Sequence, residues 1–210
     1  MHCYFSNLRE EWEDEDLKKR LLFLPQALRD GVIKYENRRD RQLVTAGKLL
    51  LLQMLKDLQL KDNLSLDDLE YNPSGKPFFN SDFSFNIAHS GAIVACVGVL
   101  NGNIGIDVEQ IVRVDIAPFE PFFTREEWRT IHGAEDKAAM FYELWVRKEA
   151  ILKASGDADF PLSSVDVHND IVSYKNVTYY LHDIFVGDGY KGCIACDRRV
   201  GEMQLVERIV

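Results

Sequence analysis

Ile104-Gly105-Ile106-Asp107-Val108-Glu109 is the stretch on which the fold turns, together with the two apolar runs that precede it, Phe83–Ile87 and Ile93–Leu100. In the first of these, apolar and acidic residues alternate with the period of two that marks a strand. Ile106 and Val108 point one way, toward a core, while Asp107 and Glu109 point the other. The segments Phe83–Ile87, Ile93–Leu100 and Ile104–Ile111 read as three strands. Asn101-Gly102-Asn103 is a short glycine-containing loop between the last two, and it predicts that they form a hairpin.

Moving outward, the period changes. Upstream, Leu43, Gly47, Leu50, Met54 and Leu58 recur at three- and four-residue spacing with Lys48 and Lys56 interleaved, which predicts a helix over 38–60. Tyr71-Asn72-Pro73-Ser74-Gly75-Lys76-Pro77 is a turn cluster. Downstream, Thr124-Arg125-Glu126-Glu127 fits a capping box, with Thr124 as N-cap and Glu127 at the third helical position. A longer helix is expected from Asp136 to Ala154, ended by Gly156. Residues 164–197 return to strands, with Asp188-Gly189 as a turn. Helix then strands, twice over and with no low-complexity linker, predicts an α+β fold of two similar, closely packed halves related by a pseudo-twofold. The expected division is 1–105 and 106–210; Ser90–Val99 and Asp188–Asp197 are loosely alike, as a duplication would leave them.

Composition narrows the classes. A chain that is 46% hydrophobic and 28% charged is neither disordered nor fibrous. No apolar run approaches the length needed to span a bilayer. Met1-His2-Cys3-Tyr4 does not begin a basic segment followed by an apolar one, so the expected location is the cytoplasm, with no membrane partner. The net charge of −9 argues against nucleic acid, which is met by a basic face. Cys193 and Cys196 have C-x-x-C spacing, but Gly192–Cys196 reads as a strand, where residues three apart point to opposite faces. All four cysteines, Cys3 and Cys96 included, are therefore expected as buried, reduced thiols.

Four segments carry chemistry. Asp107 and Glu109 on one strand face repel unless something positive lies between them, and a hard divalent cation with oxygen ligands would serve; a solvated edge strand has the same alternation. Trp145, Glu149 and Lys153 share one helix face at spacing four, suited to a site or to an ordinary helix ion pair. His89, in Phe85-Asn86-Ile87-Ala88-His89-Ser90-Gly91, falls in or beside a turn; no glycine-flanked nucleophile elbow accompanies Ser90. Gly75-Lys76-Pro77 is a basic turn.

Taken in order, these segments resemble the 4'-phosphopantetheinyl transferase superfamily, in its longer, two-halved type that activates surfactin-like synthetases. The similarity runs from Gly75-Lys76-Pro77 through Phe85–Gly91, Ile104–Glu109 and Phe122-Phe123-Thr124 with Glu127, to Trp145-Val146-Arg147-Lys148-Glu149-Ala150-Ile151-Leu152-Lys153. The resemblance implies that fold, with the active site in the cleft between the halves. It implies an enzyme that transfers the phosphopantetheine arm of coenzyme A to a serine of an acyl or peptidyl carrier protein, releasing 3',5'-ADP. Asp107, Glu109 and Glu149 would hold Mg²⁺. Glu149 would accept the serine proton, and Lys153 would contact the pyrophosphate or assist catalysis. Lys76 and His89 would hold coenzyme A phosphates, and Arg38 or Arg41, with Lys34 nearby, would meet the 3'-phosphate. Ala88 stands where some relatives carry serine, removing one possible hydroxyl contact. Two fused halves making one site imply a monomer. A metal-dependent phosphoesterase and a non-catalytic coenzyme A-binding protein are the rival classes. Ile116, Phe119, Phe122 and Phe123, within Val112–Phe123, are either core or an apolar surface for the carrier.

Overall fold

The three strands read from the apolar runs divide between two sheets. In the computed structural model, which describes residues 1–73, 75–157 and 160–210, β4 (Phe83–Ser90) and β5 (Ile93–Leu100) are an antiparallel hairpin closed by Gly91-Ala92. The other edge of β5 is taken by β1 (His2–Asn7), antiparallel, and β1 is followed by β10 (Gln204–Glu207), parallel to it. The first sheet is thus β10-β1-β5-β4. The second is antiparallel, in the order β6 (Ile104–Gln110), β9 (Tyr190–Cys196), β8 (Val177–Asp183), β7 (Ile171–Tyr174). A two-stranded ribbon, β2 (Glu70–Tyr71) with β3 (Pro77–Phe78), flanks the turn cluster.

The hairpin expected between β5 and β6 is therefore wrong. Both edges of β5 are already hydrogen-bonded, so the chain leaving it must find another partner, and β6 pairs with β9 in the second sheet. Asn101, at φ +55°, turns the chain, and Asn103 is held by Asp197 through its backbone N–H at 2.8 Å and its side chain at 2.7 Å. The division expected at 105/106 falls inside β6, and β10 returns from the end of the chain to the first sheet.

Helices cover the outer faces. On the first sheet lies α3 (Arg38–Asp57), capped by Asn37, whose side chain accepts from the Arg39 N–H, and α1 (Asp14–Leu21) and α2 (Gln26–Ile33) pack against α3. On the second lies α5 (Lys137–Ser155), with α4 (Arg125–Gly133) packed against it. Alternation along the strands sorts the core into layers. Val94 and Cys96 face the helices of the first half, whereas Ile93, Ala95, Val97 and Val99 face the second sheet and meet Ile104, Ile106 and Val108. β5 read as a continuous apolar run because both its faces are buried. Cys193 packs on the α5 side and Cys196 between the sheets, so the two thiols do point apart; all four cysteines are free and buried.

The capping box at Thr124 and Glu127 is present, and Glu127 does more than cap. Fully buried, it pairs with the fully buried Lys148 of α5 at 2.8 Å and accepts from the Val167 N–H. Lys148 also donates to the carbonyls of Leu162 and Val165, each at 2.7 Å. Next to it, Arg147 donates to Asp183, Asp170 and the Val167 carbonyl. Two adjacent cations satisfied this way fix how α5 is rotated about its axis. Its end is set by Gly156 at φ +64°.

The contact that brings α5 onto β6 is at Gly105. A Cβ there would lie 2.2 Å from the Ala150 carbonyl oxygen and 2.4 Å from the Ala154 nitrogen, so helix and strand touch backbone to backbone. Gly105→Ala is expected to lower unfolding free energy by about 1–3 kcal/mol, as overpacking does. Urea denaturation checks this; an unchanged midpoint would mean that α5 can lift from β6 without loss.

Candidate active site

Gly105, Asp107 and Glu109 share the face of β6 that α5 covers, and one side of α5 brings Glu149 and Lys153 to it. Asp107 is 4% exposed. Its Oδ1 accepts from Lys153 Nζ at 2.6 Å, and its Oδ2 is buried with no hydrogen-bond partner. The Asp107 pKa is raised to about 7: burial pushes it up, Lys153 pulls against this, and Glu109 and Glu149 add to the rise. Glu149 is half-buried; burial raises its pKa, Lys153 lowers it and Glu109 raises it. Glu109 Oε2 accepts from Ser90 Oγ at 2.7 Å. The three acids thus feel one another's charge around one lysine.

Among the described residues no three His, Cys, Asp or Glu side chains form a ready-made metal cage. Lys153 occupies one oxygen of Asp107 and Ser90 one oxygen of Glu109. The donor set nonetheless fits a hard cation. Asp107 Oδ2 is an orphaned buried oxygen, and mutually repelling carboxylates gain when a divalent ion joins them.

β4 supplies the opposite wall. His89, exposed near the end of β4, has its pKa lowered by the surrounding protein and by Lys153, while Asp40 and Glu109 raise it; these charges therefore surround it. Lys76 is placed differently from the expectation. Its ammonium donates to the carbonyls of Lys153 and, at 3.4 Å, of Ile104. It bridges the turn cluster to the end of α5, and burial lowers its pKa. Of its three N–H groups, one is left for an outside acceptor.

The basic residues expected at the start of α3 are the largest departure. Arg38 turns back to α1, donating to the Trp12 carbonyl and pairing with Glu13 at 3.6 Å and Asp14 at 3.5 Å. Arg41 donates to the Tyr35 carbonyl at 2.6 Å. Arg39 instead reaches the turn beside His89, with Nη2 on the Gly91 carbonyl at 3.3 Å and Nη1 buried without a partner. A signal for it existed in the sequence. Arg39 heads the stripe continued by Leu43, Ala46 and Leu50, at four, seven and eleven residues on, so it lies on the face turned toward the sheet. Of the Val112–Phe123 aromatics, Phe123 is core, and Phe119 packs edge-on against Phe141 and Trp145. Phe122, Val112 and Val114 are exposed.

Similarity to known proteins bears on this geometry. Residues 103–194 match the family model described as the 4'-phosphopantetheinyl transferase superfamily. The 4'-phosphopantetheinyl transferase gsp of Aneurinibacillus migulanus is 33% identical over 177 residues, covering 78% of this chain and 72% of that protein. A putative 4'-phosphopantetheinyl transferase of Haemophilus influenzae is 30% identical over 169 residues, covering 77% and 70%. The 4'-phosphopantetheinyl transferase psf-1 of Bacillus pumilus is 38% identical over 124 residues, covering 56% and 51%.

The Lys153–Asp107 contact makes a prediction about charge. Lys153 holds the Asp107 pKa down, so Lys153→Ala should raise it further above about 7 in the metal-free protein. Carboxyl ¹³C chemical shifts followed through a pH titration would show this. A lower or unchanged value would mean that the two groups do not interact in solution.

Proposed function

The chain belongs to the 4'-phosphopantetheinyl transferase superfamily, and on that footing we propose that it transfers the 4'-phosphopantetheine arm of coenzyme A to a serine of an acyl or peptidyl carrier protein. One observation carries the assignment of its site. Three carboxylates and a lysine face one another across the contact of β6 with α5, with one acid oxygen buried and unsatisfied.

The carrier serine hydroxyl attacks the phosphorus that bears the pantetheine arm. The P–O bond to the adenosine side breaks, and 3',5'-ADP leaves. Glu149, with its pKa raised by burial and no hydrogen bond among the described residues, accepts the serine proton. Asp107 through Oδ2, Glu109 and Glu149 would hold Mg²⁺. Held there, the ion would supply neutralisation of the pyrophosphate charge and would polarise the phosphorus under attack. Lys153 adds positive charge beside the reacting phosphate oxygens. His89 and Arg39 meet the outer phosphates, Arg39 taking the part expected of Arg38 or Arg41, and Lys76 offers its remaining N–H.

The carrier meets the apolar rim of Val112, Val114 and Phe122 beside β6, a contact that does not require a basic surface from a chain of charge −9. We take the protein to act as a monomer in the cytoplasm, without nucleic acid; none of its described helices is long and apolar enough to cross a membrane.

Intact mass of an apo-carrier incubated with coenzyme A, Mg²⁺ and this protein should rise by one phosphopantetheine unit. No rise with any of several carriers, or hydrolysis of coenzyme A without a carrier, would overturn the reading. Glu149→Gln and Asp107→Asn should each lower kcat by about 10²-fold or more while circular dichroism is unchanged. Arg39→Ala should raise KM for coenzyme A about tenfold, as loss of a charged hydrogen bond does. Arg38→Ala should leave it near wild type. Equal effects of the two would remove Arg39 from the site. Phe122→Ala should raise KM for the carrier and leave that for coenzyme A unchanged.

A further inference from the structure

Ser90, the last residue of β4, has no part in the reaction as described. It stands where the two sheets meet without pairing. β4 and β6 belong to different sheets, and side chains bridge them where a ladder would otherwise run. Asn86 Oδ1 accepts from the Ile106 N–H at 2.9 Å. Four residues on, Ser90 Oγ accepts from the Gln110 N–H at 3.1 Å and donates to Glu109 Oε2 at 2.7 Å. The following turn is pressed against the same strands. The Ala92 N–H donates to Tyr190 Oη at 2.9 Å, and a Cβ at Gly91 would lie 2.4 Å from Gln110 Oε1 and 2.6 Å from Tyr190 Oη.

These contacts fix the Ser90 hydroxyl from both sides. One lone pair is taken by a backbone N–H, which aims the O–H bond at Glu109. A glutamate on a strand otherwise samples several rotamers and loses that freedom when it binds an ion. Glu109 is already held by one oxygen, and its Oε1 has no hydrogen bond among the described residues.

We propose that Ser90 is a positioning residue for Glu109, holding its carboxylate in the orientation in which the other oxygen can ligate the cation. The proposal rests on the reading of Asp107, Glu109 and Glu149 as cation ligands. It also means that the β4–β5 turn ties phosphate binding to cation binding. His89 and Ser90 are consecutive, and movement of the turn carries both.

The test is Mn²⁺ binding in the presence of coenzyme A, with free ion followed by electron paramagnetic resonance and no turnover measured. Wild type, Ser90→Ala, Ser90→Thr and Asp107→Asn are compared. Loss of a hydrogen bond to a ligating carboxylate lowers metal affinity about tenfold or more, and that is the loss expected for Ser90→Ala. Ser90→Thr, which keeps the hydroxyl, should bind as wild type, and the metal-free melting temperature of Ser90→Ala should be unchanged. Wild-type Mn²⁺ affinity in Ser90→Ala, with binding lost in Asp107→Asn, would overturn the role of Ser90 alone. Wild-type affinity in Asp107→Asn would overturn the cation reading and this proposal with it. Weak binding in both Ser90 variants would also overturn it, since the hydroxyl would then not be the agent.

Discussion

At Gly105 a helix backbone rests directly on a strand backbone, and everything at the site is measured from that contact. Because no side chain intervenes, α5 lies as close to β6 as main-chain atoms permit. The residues two and four further along the strand, Asp107 and Glu109, then face one side of the helix. A larger residue at 105 would force the two elements apart and separate the acids of the strand from Glu149 and Lys153. The opposite face of β6 is equally committed, with Ile104, Ile106 and Val108 in the layer between the sheets. A strand pinned on both faces has little freedom to relax around a polar site, which suits a cluster of charges that must stay close against their own repulsion.

Rotation of α5 is the second requirement, and buried charge meets it. Lys148 and Glu127 are fully buried, and the lysine ends on two backbone carbonyls as well as on the acid. Pairs of this kind are weak contributors to net stability, because desolvation offsets most of their attraction. They are demanding in geometry, however. Lys148 precedes Glu149, so an anchor on one residue sets the direction of the next, about 100° around the helix. Arg147 does the same from the other side through Asp183 and Asp170. We regard this pair of anchored cations as the reason α5 presents Glu149 and Lys153 to β6 rather than to solvent.

Local features are legible in the sequence, whereas the choice of strand partners is not. The cap at Thr124, the stop at Gly156, the strand ends of β5 and the opposed faces of Cys193 and Cys196 depend on a few neighbouring residues, and each is present. The hairpin between β5 and β6 failed because partner choice depends on which edges are already filled, and β1 had filled one from ninety residues away. β1 and β10 have no neighbouring strand in sequence to mark them, because each pairs with a segment far along the chain. At the site, the acids and Lys153 stood at regular spacing on elements that were themselves legible. Arg39 is hard to single out because three arginines crowd one turn, and only the phase of the helix distinguishes the one that faces the sheet. Ser90 gave no sign at all, since its partner lies on a strand of the other sheet.

The pairing of β10 with β1 has a bearing on how the molecule is made. The first strand of the chain lies between β5 and the last strand, with the Gln204 N–H donating to the Met1 carbonyl at 3.1 Å. On a ribosome, the first sheet can assemble from β1, β5 and β4 while much of the second half is still unmade. Until Gln204–Glu207 has emerged, the outer edge on that side is the six-residue strand His2–Asn7. Such an edge is a template for any other extended chain nearby. Pairing across the whole length of the sequence is also the slowest kind to form. Between synthesis of β1 and of β10 that longer edge is therefore bare, and the arrival of Gln204–Glu207 replaces it with a four-residue one, the short kind of edge strand that limits unwanted pairing.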